Sequence, residues 1–271
     1  MTNRTAEPVQ HNAGDAAPPG HAGVSRQPDA VVSDADQSIR HASLVAGVGL
    51  LLMSALAGFG NFVAIEGLVT QGDASRTAAD IIASEGMFRL GIAAWFLIVA
   101  LDVVIAWALF RVFRPVSTGV SRLAAWFRLV YAGVLLVAVS ELVAALRLLG
   151  DDAYLTVFST DQLQAHALLR IETFTDTWDA GLLLFGLHLL LLGYLAYRSG
   201  YVPRWLGVLL AIAGLGYVFD TSATLLLSQG LPVSVSTFTF IGEFLLAVWL
   251  VTRGRRITLT RFHQDPVALA E

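Results

Sequence analysis

The chain has 271 residues, of which 56% are hydrophobic and only 14% are charged. A soluble domain of this size carries about 25% charged residues, so the composition excludes an ordinary water-soluble fold. Cysteine is absent, which removes disulfides, thiolate metal sites and cysteine nucleophiles. All 17 basic residues are arginine, read here as the coding bias of a GC-rich bacterial genome, and the net charge is −4.

Residues 1–39 hold four of the eight prolines and the acids Glu7, Asp15, Asp29, Asp34 and Asp36. Little there can pack, so a disordered cytoplasmic tail is expected. Six apolar stretches follow, at about 43–69, 88–113, 123–149, 178–197, 205–227 and 233–251. A bilayer core of about 30 Å needs about 20 apolar residues per helix. The chain therefore reads as an all-α polytopic membrane protein with a six-helix domain over 40–252. Ala55-Leu56-Ala57 resembles a signal-peptidase site, but the apolar run continues to Val69 behind a long leader, so the first span is expected to be retained.

Charge sets the orientation. Arg40, Arg111, Arg114, Arg122, Arg198, Arg204, Arg253, Arg255, Arg256 and Arg261 fall on one side, whereas the first and third loops are acidic. Positive charge near span ends stays cytoplasmic. Both termini are thus expected inside, in a bacterial plasma membrane. In the first outer loop Asp73 is expected to cap a short helix with Ala78, Ile81 and Ile82 on one side. In the third loop Leu163, Ala167, Ile171, Phe174 and Trp178 recur at helical spacing, predicting an interfacial helix that turns into span four. It reads as a space-filler, with a lid over an outward cavity as the alternative. Residues 253–271 form a basic tail whose Arg253, Arg255 and Arg256 are expected to meet anionic lipid headgroups rather than nucleic acid.

The ionisable residues inside spans carry the most information, because each costs several kcal/mol unless paired, protonated or hydrated. They are Asp102, Arg128, Glu141, His188, Asp220 and Glu243. Asp102 and Arg128 are expected to form a structural ion pair, with Arg128 about 9 Å nearer the inner surface. Tyr217, Asp220 and Thr224 share a face of span five, and Ser236, Thr239 and Glu243 repeat that spacing on span six. Antiparallel packing would bring the two stripes together. Tyr217, Asp220, Thr239 and Glu243, with His188, are the binding or proton-relay candidates; helix adhesion is the competing reading. No HExxH pair or second intramembrane histidine supports a metal site, no cofactor is implied, and no nucleophile motif points to catalysis. An intramembrane enzyme would need His188, Asp220 and Glu243 to converge.

Three segments carry a resemblance: Ser84-Glu85-Gly86-Met87-Phe88-Arg89-Leu90-Gly91-Ile92; Arg114-Pro115-Val116 with Leu123-Ala124-Ala125-Trp126-Phe127-Arg128-Leu129; and the block from Phe185-Gly186-Leu187-His188 through Tyr201-Val202-Pro203 to Gly216-Tyr217. Together they resemble the bacterial integral membrane family known as domain of unknown function 4386, over roughly residues 43–255. The resemblance implies recurrent polar positions at Arg89, Asp102, Arg128, His188 and Glu243. Phe110-Arg111 departs from the family pattern, which has a tyrosine and an apolar residue there. The resemblance implies fold and membrane location but no activity. What remains is a small-molecule or ion binding or carrier protein, a structural or regulatory protein whose polar residues lock helices, or, less favoured, an enzyme.

Overall fold

The computed structural model describes residues 28–150, 157–226, 236–254 and 257, with the side chains of 28–35, 225 and 236–240 left aside. Among the described residues seven α-helices follow in order: α1 (Pro28–Gly58), α2 (Ala74–Ala83), α3 (Glu85–Phe113), α4 (Thr118–Gly150), α5 (Thr160–Arg198), α6 (Arg204–Leu226) and α7 (Ser236–Thr252). Among the described residues there is no strand. Five helices of the described residues are long and apolar enough to cross a bilayer, and α7 adds a shorter apolar stretch, Ile241–Thr252. This is an all-α polytopic membrane protein.

The long helices neighbour one another in chain order, α1 on α3, α3 on α4, α4 on α5, α5 on α6 and α6 on α7, and α7 returns to α1. The result is a closed ring of six helices, with α2 laid against α5 at one end. We call that the α2 end. The interior is filled by large side chains with almost no exposure, including Trp95, Phe88, Leu135, Leu142, Leu189 and Leu192, with Arg128 among them.

Helix boundaries follow local chemistry. Asp73 caps α2, its Oδ1 accepting the Arg76 amide at 2.9 Å. Ala78 and Ile81 pack inward, but Ile82 faces out at 57% exposure, so only part of the expected face is buried. Pro115 follows the end of α3, where a missing N–H stops the helix. Ser159 and Gln162 form a reciprocal capping box that starts α5. Past Gly58, α1 widens into a π-helical turn, Phe59–Val63, laid against α3.

Two boundaries differ from expectation. Residues 28–39, expected in the disordered tail, are already helical, and Asp36 and Ile39 are buried. Arg111 donates to Ser38 there, and Arg40 Nε donates to the Ile257 carbonyl at 3.2 Å. The end of α1 therefore has tertiary partners that composition does not reveal. Residues 1–27, Arg255 and Arg256 lie outside the described residues. The interfacial helix of the third loop does not turn into span four. It continues into it as the single 39-residue α5, with Leu163, Ala167, Ile171 and Phe174 buried. Contact with α2 and α4 along this extension removes the reason for a bend.

The α5–α6 hairpin is held by glycines placed symmetrically about Gly200, which turns with a left-handed φ of 69°. Gly193 faces Gly207, and Gly186 faces Gly214. A Cβ on Gly193 would lie 2.7 Å from the Gly207 carbonyl oxygen, and one on Gly214 would lie 2.6 Å from that of Gly186. The backbones touch directly, as small residues permit between membrane helices.

At the opposite end from α2, Tyr201 donates its hydroxyl to the Val112 carbonyl at 2.7 Å and stacks on Phe113. Burial pushes its phenol up from the ordinary value, so it remains a donor. Tyr201→Phe keeps the stacking and strands the carbonyl, and it should lower unfolding free energy by about 1 kcal/mol in a denaturant titration.

Candidate functional site

Four ionisable side chains converge inside the ring, each from a different helix: Asp102 on α3, Arg128 on α4, His188 on α5 and Glu243 on α7. Each lies about ten residues, or about 15 Å, from the end of its helix opposite α2. Arg128 is the hub. Its Nε donates to Asp102 Oδ1 at 2.8 Å and its Nη1 to Glu243 Oε1 at 2.9 Å. Nη1 also lies 3.3 Å from His188 Nε2, and Nη2 points at Met53 Sδ on α1 at 3.7 Å. The guanidinium carbon sits 5.3 Å from the centre of the Phe185 ring, a cation–π distance. A planar fork with five N–H donors suits this many partners; an ammonium would not match the geometry.

His188 has a defined tautomer. Its Nδ1 is 2.8 Å from the Ala124 carbonyl, which can only accept, so Nδ1 carries the proton. The arginine can only donate, which leaves Nε2 as the acceptor. His188 is therefore neutral here and ties α5 to α4 at two points.

The charge within the hub does not balance: two carboxyl groups face one guanidinium. Arg128, Asp102 and His188 are buried, whereas the Glu243 side chain retains 21% exposure. Asp102 Oδ2 is buried with no hydrogen-bond partner among the described residues. The narrow gap beside His188, lined by Ala106, Ser121, Ala124 and Leu192, has no room for a water molecule. Towards the α2 end an aromatic stack covers the hub. Phe185 packs on His188 and lies 4.9 Å from Tyr131 and 5.7 Å from Tyr217, centre to centre. Tyr131 accepts a hydrogen bond from Trp178 Nε1 at 3.0 Å, and Trp178 meets Trp95 edge-on.

The structure brings together some of the residues singled out from sequence and separates others. Asp102 and Arg128 meet at one level rather than 9 Å apart. The reason is that α4 begins at Thr118, ahead of the apolar stretch that set the estimate. His188 and Glu243 do not approach as a direct pair, because Arg128 lies between them. The expected seam between Tyr217, Asp220, Thr239 and Glu243 is not what holds Glu243, which turns to Arg128. Tyr217 joins the aromatic stack, Thr224 donates back to the Asp220 carbonyl within α6, and the Thr239 side chain lies outside the described residues. Glu141 pairs with Arg170 at 2.8 Å near the α2 end. Sequence reasoning missed Met53 and the Ala124 carbonyl; neither has a residue-type signal. It also missed that four helices carry their charges at equal depth, because α4 begins five residues ahead of the apolar stretch from which the depth of Arg128 was counted.

Among the described residues no group of three or more histidine, aspartate or glutamate side chains gathers as a metal site. The arrangement can hold helices together, exchange a proton or cation against its surplus carboxyl group, or release Glu243 to water.

Comparison with known proteins agrees with the architecture. The family model described as Domain of unknown function (DUF4386) matches residues 45–254. An "Uncharacterized protein" of Archaeoglobus fulgidus is 39% identical over 163 residues, covering 60% of this chain and 83% of its own. No solved structure matches. The matched segment runs from the buried inner face of α1 through the whole ring, so the chain belongs to the DUF4386 family of uncharacterised proteins.

Proposed function

We propose that this is a multi-pass plasma-membrane protein of structural or regulatory role, in which the Arg128 cluster locks the helix ring in one arrangement. The observation that carries this reading is that one buried guanidinium engages side chains from four other helices, and the gap beside the neighbouring His188 has no water-sized space. A carrier site caught open would show an aqueous path to mid-membrane. Both termini lie in the cytoplasm on this reading, which places the α2 end outside. Arg253, exposed at the end of α7, together with Arg255 and Arg256, then meets anionic headgroups of the inner leaflet.

A second reading rests on the surplus carboxyl group. An unpartnered Asp102 Oδ2 and a partly exposed Glu243 favour a small-molecule or ion binding or carrier protein, in which a cation or proton takes the place of part of the Arg128 network. His188, Tyr217, Asp220, Thr239 and Glu243 remain the binding or relay residues of that reading.

One experiment separates the two. Purified wild type and Glu243→Gln are reconstituted into liposomes carrying an internal pH dye, and the same samples are unfolded thermally. The lock predicts no proton flux from either protein and a loss of about 1.5–3 kcal/mol of stability in Glu243→Gln, the scale of a hydrogen bond to a charged group. Wild-type flux that disappears in a folded Glu243→Gln variant would replace the lock with the carrier.

A further inference from the structure

Near the α2 end, α3, α4 and the start of α5 leave a cleft of about 530 Å³, well away from the Arg128 hub. Its walls are Phe96, Val143, Ala144, Leu148 and Phe158, and two arginines, Arg147 and Arg170, line it with Ser140. Arg170 is committed to Glu141 at 2.8 Å. Arg147 is exposed and makes no ion pair among the described residues, so the lining carries a net positive charge.

The polarity is graded along the helix. Ser140 and Arg147 stand about 10 Å apart on α4 by helical rise, with apolar Val143 and Ala144 between them. Arg147 lies in the last turn of α4, at the depth where a spanning helix leaves the hydrocarbon. Phe96, 42% exposed on α3, faces the deeper part. A cationic rim over an apolar trough, opening sideways from the helix ring, matches an amphiphile with an anionic head. A soluble anion would leave the apolar walls unused, and an uncharged apolar molecule would leave Arg147 unanswered.

We propose that this cleft binds an anionic phospholipid of the leaflet at the α2 end. Its phosphate sits at Arg147 with support from Arg170, and an acyl chain lies along Phe96, Val143 and Leu148. Two guanidinium groups at one rim suit phosphate oxygens, which accept bidentate hydrogen bonds. Glu141 holds Arg170 in place while withdrawing part of its charge, so Arg147 provides the main attraction.

The test is lipid retention by the full-length protein after delipidation in detergent, read by native mass spectrometry. Phosphatidylglycerol, phosphatidylcholine and inorganic phosphate are added back separately. The expected result is selective retention of phosphatidylglycerol by wild type and an approximately tenfold weaker retention by Arg147→Gln, about 1.4 kcal/mol. Arg147→Lys should recover part of it, and Arg76→Gln on α2 should change nothing. Tryptophan fluorescence on the same samples establishes that the exposed-site variant is folded. Equal retention of the two lipids would mean ordinary annular lipid, and inorganic phosphate bound as well as phosphatidylglycerol would mean a headgroup-sized anion site. Either result, or unchanged retention by Arg147→Gln, overturns the proposal.

Discussion

Arg128→Met lowers the unfolding free energy by about 3–5 kcal/mol, the largest single-residue loss expected in this chain. The side chain is fully buried and bonded to Asp102 and Glu243 at 2.8 and 2.9 Å. Methionine matches much of its volume, so the packing term is small and the electrostatic term dominates. Removing one partner of a buried ionic group costs about that much, because the remaining charge is left desolvated without compensation. Here two carboxyl groups are stranded, and Asp102 already has one oxygen without a partner. His188 Nε2 loses its donor as well. Arg128→Lys should fall between the two, since an ammonium keeps the charge but not the fork that reaches both carboxyl groups and the imidazole. Chemical unfolding followed by tryptophan fluorescence in detergent reads the series directly.

Gly193→Leu is the second large effect. Even the first carbon of a side chain would lie 2.7 Å from the Gly207 carbonyl oxygen and 2.8 Å from the Ala211 amide nitrogen. Those are backbone atoms and cannot turn aside, so α5 and α6 must separate along a contact that also includes Gly186 and Gly214. Gly193→Ala already overpacks this contact, at about 1–3 kcal/mol, and leucine exceeds it. Gly133 provides the contrast on α4. Nothing lies within 4 Å of a Cβ there, so Gly133→Ala gains helix propensity of up to about 1 kcal/mol. Thermal unfolding of the three variants side by side separates steric cost from helix propensity. Equal midpoints for Gly193→Ala and Gly133→Ala would contradict the direct backbone contact.

Much of the architecture was legible because membrane insertion imposes a strong rule on composition. Apolar length locates the helices, and Asp73 caps α2 as its residue type predicts. The block from Phe185 to Tyr217, one of the three segments that carry the family resemblance, contains the four glycines of the α5–α6 contact. Their symmetry about Gly200 is visible in the sequence once the hairpin is considered. Other features were hidden for definite causes. The polar start of α4 contributes no apolar signal, so the depth of Arg128 was misplaced by about a turn and a half, and the hub was read as a pair. α5 extends beyond the membrane-length stretch because α2 and α4 cover its extra turns, which only tertiary packing decides. Glu243 was assigned to α6 because consecutive helices are usual neighbours. Ring closure instead gives α7 a second neighbour in α1, and the arginine in the interior reaches it first. Helix periodicity can place a side chain on a face, but it cannot say which of two neighbouring helices that face will meet.

The central claim is that the charges of Arg128, Asp102 and Glu243 form one interdependent unit inside the ring. Its most direct test compares the stability of Arg128→Met with that of the triple variant Asp102→Asn, Arg128→Met, Glu243→Gln. If the three act as a unit, the triple variant buries no lone carboxylate and should recover more than half of what the single variant loses. A triple variant less stable than Arg128→Met, with losses that simply add, would show three independent side chains and contradict the hub.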